Sequence, residues 1–194
     1  MPEPIQASLL AALTDLVRWL DSSNTPSMVI GGVAASVLGQ PRLTQDVDAL
    51  AILPEERWAA TMDAAGRFGI VPRIEDPLGF ARRSRVLLMR HAASGIDIDL
   101  TFGGVAFERA AVENSERHEI AGVTLRLPRV EDLLIMKAIA QRPKDLQDIE
   151  GLLNAHPEAD VTRVRQSVSE FATATGMGDM LDEFDRLLAR RKPK

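Results

Sequence analysis

A chain of 194 residues with 45% hydrophobic side chains, 4% aromatics and no tyrosine has the size of one domain, with room for a small appended helical part, and a core resting on aliphatic residues and methionine. The absence of cysteine excludes a disulfide framework and a thiolate metal site and fits the cytoplasm; the net charge of −5 argues against a stable nucleic-acid binder held by phosphate neutralisation, while leaving room for a transient nucleic-acid substrate. No apolar run approaches the ~18 residues of a membrane span, so no membrane partner is expected.

The opening MPEPIQASLLAALTDLVRWLDSS lacks a basic leader and reads as an amphipathic helix rather than a signal peptide. Over residues 6–21 it sets Leu9, Leu10, Leu13, Leu16, Val17 and Leu20 at helical spacing. Ser27–Ile30 is β-prone, Gly31-Gly32 a turn, and Val33–Leu38 a short helix. Gln45–Ile52 reads as a strand, and Pro54 opens a helix to about Phe68. The stretch from Gly69 to Arg85, with Pro72, Pro77 and Gly79, is expected to be an irregular loop. Val86–Arg90 and Gly95–Phe102 read as neighbouring strands, Phe107–Ala111 as a short helix, and Glu119–Leu127 as a strand or hairpin. Helices are expected near 129–141, 143–154, 160–174 and 178–191. Strands early and helices late give an α+β chain: a core with its N-terminal helix over 1–127, and a helical subdomain over 128–194.

Arg73, Arg82, Arg83, Arg85 and Arg90 concentrate positive charge mid-chain, and the terminal ARRKPK is a second basic cluster. A solvated face and a frayed tail are the simplest readings of both.

The chemistry concentrates in two acidic alternations. Along a strand, residues i and i+2 share a face, so Asp46 and Asp48 project together, as do Asp97 and Asp99 opposite the apolar Ile96, Ile98 and Leu100. Two like charges ~4 Å apart repel by ~4 kcal/mol at an effective dielectric near 20. A divalent cation reverses that sign, because Mg²⁺ prefers carboxylate and phosphate oxygens. Gly31-Gly32 can bring backbone amides and a helix start close to an anion. Arg42 is placed to pair with a phosphate and Thr44 to orient the strand entry.

These residues together resemble the polymerase-β-like nucleotidyltransferase superfamily. Its pattern is a Gly-Gly or Gly-Ser turn, a strand carrying D-x-D, and a third acid on a later strand. The form Gly31-Gly32-Val33-Ala34…Arg42-Leu43-Thr44-Gln45-Asp46-Val47-Asp48 looks most like the AbiEii-type toxin branch, although antibiotic nucleotidyltransferases carry a similar turn. The resemblance covers roughly residues 8–155. It implies a mixed sheet flanked by helices, Mg²⁺ on Asp46, Asp48 and a third acid, and triphosphate at Gly31 and Gly32. The third acid is Asp97 or Asp99; the following LTFGGVAFE favours Asp99.

Further along, Lys137 lies on or beside the apolar stripe of Val130, Leu133, Leu134 and Ala138, so it must snorkel outward or meet an anion. The run EDLLIMK…RPKDLQDI resembles a C-terminal motif of the same branch. It implies that Lys137 neutralises triphosphate charge and that Asp145 orients or activates the acceptor, with Arg142 beside it as a substrate-binding residue and Asp148 a weaker candidate. Asp145 also suits a helix N-terminus on electrostatic grounds alone.

The expected activity is Mg²⁺-dependent transfer of a nucleoside monophosphate from a nucleoside triphosphate to an acceptor hydroxyl. That hydroxyl would belong to an RNA 3′ end such as a tRNA guided by Arg82, Arg83 and Arg85, or to a protein, and an antitoxin partner would follow from the toxin resemblance. The alternative is a catalytically silent regulator on the same scaffold. A metal-dependent phosphohydrolase is weak, because His91, His118 and His156 show no ligand spacing to the acids, and His91 reads as a loop histidine.

Overall fold

The computed structural model describes residues 7–190; the first six residues and the last four, which carry most of the terminal basic cluster, lie outside them. Helix α1 (Ala7–Ser22) buries Leu9, Leu13, Leu16, Trp19 and Leu20 along one stripe, and the Trp19 indole N–H donates to the Thr61 carbonyl at 2.8 Å. Strand β1 (Ser27–Ile30) runs straight into α2 (Gly31–Leu38), so the two glycines are the first residues of the helix rather than a separate turn. Then come β2 (Asp46–Ala51), α3 (Trp58–Ala65), β3 (Ile70–Pro72), α4 (Pro77–Ser84), β4 (Val86–His91), β5 (Asp97–Phe102) and α5 (Ala106–Glu113). Strands β6 (Glu116–Ile120) and β7 (Val123–Leu127) form an antiparallel hairpin.

Among the described residues, five strands make one mixed sheet in the order β1-β2-β5-β4-β3. β2 and β5 are parallel at its centre, and the outer pairings are antiparallel. Along β5, Ile98, Leu100 and Phe102 are fully buried while Asp97, Asp99 and Thr101 alternate to the other face. Each buried side chain of this size contributes ~1.5–3 kcal/mol, so a slip of one residue would exchange that gain for three buried polar groups.

Gly69–Arg85 is not an irregular loop. β3 is a three-residue edge strand paired with β4, and α4 is capped by Asp76, whose carboxylate accepts from the Gly79 N–H at 2.9 Å. Pro77 sits in the first turn, where its missing N–H costs nothing. Arg85, at a left-handed φ of 60°, ends the helix and donates to the carbonyls of Phe102 and Gly103 at 2.7 and 3.0 Å. Its guanidinium is thereby committed to the fold, while Arg82 pairs with Glu55 and Arg83 with Asp76. His91 is a buried strand-end residue, hydrogen-bonded to Ser94 Oγ (2.7 Å) and Asp15 Oδ2 (3.2 Å).

The chain divides into two compact units. One runs through Val33 and resumes over Arg42–Pro128; the other takes Ala34–Pro41 and everything from Arg129. In the second unit α6 (Val130–Ala140) contacts α7 (Pro143–Ala155), α8 (Val161–Thr175) and α9 (Asp179–Arg190). Being surrounded, α6 buries Leu133, Leu134, Ile135 and Ala138 and also the charged Asp132 and Lys137. Asp132 accepts from Arg163 Nη2 at 2.5 Å. No helix among the described residues is long and apolar enough to cross a membrane.

Candidate active site

The parallel register places Asp46 beside Asp97 and Asp48 beside Asp99. Residues directly opposite in adjacent strands share a face, so four carboxylates form a two-by-two array, and Val47 and Ile98 lie buried on the other face. At the strand spacing of ~5 Å, ionised neighbours repel by up to ~3 kcal/mol at an effective dielectric near 20.

Two arginines answer part of that charge. Arg73, just after β3, donates from Nη1 to Asp97 Oδ2 at 2.7 Å and from Nη2 to Asp99 Oδ1 at 2.5 Å. Arg90 lies opposite Asp97 on β4 and donates from Nε to Asp97 Oδ1 at 2.7 Å. The Arg90 hydrogen bond holds the Asp97 carboxyl below the usual carboxylate range, with Arg73 adding to it against a smaller effect of burial. Burial pushes the Asp99 carboxyl up; Arg73 opposes this, while the charges of Asp48, Asp46 and Asp97 reinforce it. The two later acids are thus distinct in kind: Asp97 is saturated by guanidinium, and Asp99 is shared between an arginine and its fellow carboxylates. Among the described residues, no three acidic or histidine side chains stand arranged around one ion position.

The glycine-started end of α2 abuts this face. Ile30 pairs with Asp48, and Gly31 follows with φ +64°. A Cβ on Gly31 would come within 1.9 Å of Asp48 Oδ2, so glycine is required both by backbone conformation and by the carboxylate against it. A Cβ on Gly32 would meet Thr44 Oγ1 at 3.0 Å and Arg42 Nη2 at 3.1 Å. The loop carrying Arg42 and Thr44 is folded onto the glycines. Among the described residues the Thr44 hydroxyl is buried and has no hydrogen-bond partner, which costs ~1–3 kcal/mol.

Lys137, Arg142 and Asp145 gather in the second unit. Lys137 is buried and donates to Asp145 Oδ1 and approaches Asp148 Oδ2, each at 2.8 Å. Arg142 donates to Asp145 from Nε at 2.6 Å and from its backbone N–H at 3.2 Å, so Asp145 caps α7 as well. Burial raises the Asp145 carboxyl, but the hydrogen bonds from Arg142 and Lys137 outweigh it and hold it below the usual range. Lys137 therefore meets an anion rather than snorkelling.

Arg73 and Arg90 are the residues at the site that sequence reasoning placed only in a general basic stretch. Their role depends on the register of β4 against β5 and on the path of the chain after β3.

A mixed sheet with paired acids on adjacent parallel strands and a glycine-started helix against one of them defines a nucleotidyltransferase fold, and the protein is an enzyme of that class. More particularly, residues 9–177 match the model of the family described as nucleotidyl transferase of unknown function (DUF2204), and the chain belongs to that family. Among solved structures it is similar to the antibiotic-resistance factor ANT(2″)-Ia in solution, at 16% identity and TM-score 0.58 over 87% of this chain and 94% of that one. A crystal structure of ANT(2″)-Ia in complex with adenylyl-2″-tobramycin gives 17% identity and TM-score 0.59 over 87% and 99%. No curated protein sequence matches the chain.

Proposed function

We propose that the protein transfers a nucleoside monophosphate from a nucleoside triphosphate to an acceptor hydroxyl, with Mg²⁺ held by Asp46, Asp48 and Asp99. The observation that carries this reading is the in-register pairing of Asp48 with Asp99, with the Gly31 backbone against the Asp48 carboxylate. The donor set fits a hard cation: like-charged oxygens crowd one face, and burial, reinforced by the charges of Asp48, Asp46 and Asp97 against Arg73, raises the Asp99 carboxyl. Asp99 is preferred to Asp97 because both Asp97 oxygens are already engaged by arginine. When bound, Mg²⁺ would offset triphosphate charge and polarise the phosphate under attack.

The chain's own groups do the rest. The amides at the start of α2 receive phosphate oxygens at Gly31 and Gly32, Arg42 adds positive charge, and the unpaired Thr44 hydroxyl donates to the same anion. Positioning and charge stabilisation then carry most of the rate, with the acceptor hydroxyl as nucleophile. We assign Lys137 and Asp145 first to joining α6 and α7, because their polar atoms are bonded to each other, Arg142 and Asp148. The phosphate and acceptor roles given by the motif resemblance require those bonds to open.

We place the acceptor hydroxyl on an RNA 3′ end or a protein, and the reaction in the cytoplasm, where triphosphates are made. The toxin-like run over residues 131–149 supports that acceptor class and, with it, a neutralising antitoxin partner. The ANT(2″)-Ia complex with adenylyl-2″-tobramycin makes a small-molecule hydroxyl the competing outcome of one experiment. Each labelled nucleoside triphosphate is incubated with Mg²⁺, the protein, and total RNA, protein extract or an aminoglycoside mixture, with Asp46→Ala/Asp48→Ala as control. Label in the RNA or protein fraction supports the proposal; label only on aminoglycoside overturns the acceptor, and no control-sensitive label in any fraction sinks the transfer reading.

A further inference from the structure

Arg73 bridges two acids two residues apart on one strand, yet among the described residues only one of them has a second cationic partner. Asp97 accepts from both Arg73 and Arg90, whereas Asp99 accepts from Arg73 alone among the described guanidiniums. We propose that Arg73 is a positioning residue acting as an electrostatic latch, pivoting on Asp97 and giving up Asp99 to the divalent cation when the site loads. The proposal rests on the metal assignment above.

The geometry separates the pivot from the latch. If Arg73 Nη2 leaves Asp99, Nη1 keeps its 2.7 Å bond to Asp97, and Asp97 stays anchored through Arg90 Nε at 2.7 Å. The Arg73 backbone is fixed by its N–H donating to the Leu88 carbonyl at 3.2 Å, so only the side chain has to turn. The arrangement also accounts for Asp97, which is saturated and does not act as a ligand itself. Arg73 spares Asp99 part of the like-charge repulsion from Asp48 before the cation arrives, and it competes with that cation for the same oxygen. Once swung aside on its pivot, the guanidinium remains beside the carboxylate face as a donor for a phosphate oxygen.

The test is Mn²⁺ binding to the full chain without nucleotide, followed by electron paramagnetic resonance. Arg73→Gln removes the competitor and should bind Mn²⁺ about five- to tenfold more tightly than the native protein. Arg73→Lys, which keeps the charge and loses the two-pronged bridge, should fall between them and serves if the glutamine variant melts early. Asp97→Asn frees Arg73 to rest wholly on Asp99 and should weaken binding severalfold, but should change nothing in the Arg73→Gln background. Equal or weaker binding in both Arg73 variants overturns the latch. So does an Asp97→Asn effect that persists without Arg73, since Asp97 would then be a ligand. If the native protein and Asp99→Asn both fail to bind Mn²⁺, the metal assignment falls and the latch with it.

Discussion

On the face of β2 and β5, Asp97 and Asp99 keep 31% and 35% of their side-chain surface and crowd against two further carboxylates. In the second unit Lys137, Asp145 and Asp148 keep 4% or less, and nearly every contact there is between opposite charges. Both clusters are made of aspartates and basic side chains, and they settle their charge in opposite ways. The buried cluster closes on itself, with Lys137 between two carboxylates and Arg142 on the outer side of one. The sheet face leaves like charges side by side at the edge of solvent, next to the glycine-started α2 and a threonine hydroxyl with no partner among the described residues. Charge balanced in the dry interior maintains a helix pair; charge left crowded at a wet surface is available to a ligand.

The largest effect that would break this contrast is catalytic. Asp48→Asn and Asp46→Asn should each reduce nucleotidyl transfer by about 100-fold or more, while the melting temperature holds or rises because repulsion is relieved. Transfer near the native rate in either variant would strip the sheet face of its role. Next in size is Lys137→Met, which strands two buried carboxylates. Urea denaturation should show a loss of ~3–5 kcal/mol, and an unchanged midpoint would mean the cluster does not hold the helices. Gly31→Ala forces a side chain into a left-handed backbone and onto Asp48. It should cost ~1–3 kcal/mol of stability and most of the activity together.

A pH series sharpens the comparison further. The Asp145 carboxyl is held below its ordinary value of 3.8, so its contribution is present above that pH and lost as pH falls through the depressed value. Asp145→Asn should therefore lower stability at neutral pH, with the gap to the native protein closing below about pH 3.8 in thermal melts. A gap that widens in acid would reverse the assignment. Burial works the other way for Asp99, whose raised carboxyl costs stability as it ionises. The smallest expected effect is that of Thr44→Val, which removes an unsatisfied hydroxyl. Stability should hold or improve, while KM for the triphosphate rises about three- to tenfold. A KM that does not move would leave the hydroxyl without a ligand.

Much of this was legible in the chain because it depends on short-range periodicity. The D-x-D alternations declare their shared face, and the last-third helices declare themselves by spacing and by Pro143 at a first turn. Gly69–Arg85 looks like a loop in sequence because Pro72, Pro77 and Gly79 resemble breakers. Asp76-Pro77 is a cap followed by a tolerated proline, and β3 exists only because β4 supplies its pairing partner. Lys137 posed its own question in sequence, snorkel or anion, and only the fold of α7 over α6 could answer it. The Arg73 bridge had no local signal at all, since it joins residues 24 and 26 positions apart through the register of three strands.

The parallel pairing of β2 with β5 has a consequence for how the protein comes to be made. Two parallel neighbours cannot be joined by a tight turn, and here the connection contains α3, β3, α4 and β4. A nascent chain that has emerged only through His91 holds Asp46, Asp48 and both clamping arginines but neither Asp97 nor Asp99. β2 must wait beside an unfilled sheet position until β5 inserts between it and β4. Cation affinity should consequently be acquired abruptly, late in synthesis, rather than accumulate as the chain lengthens.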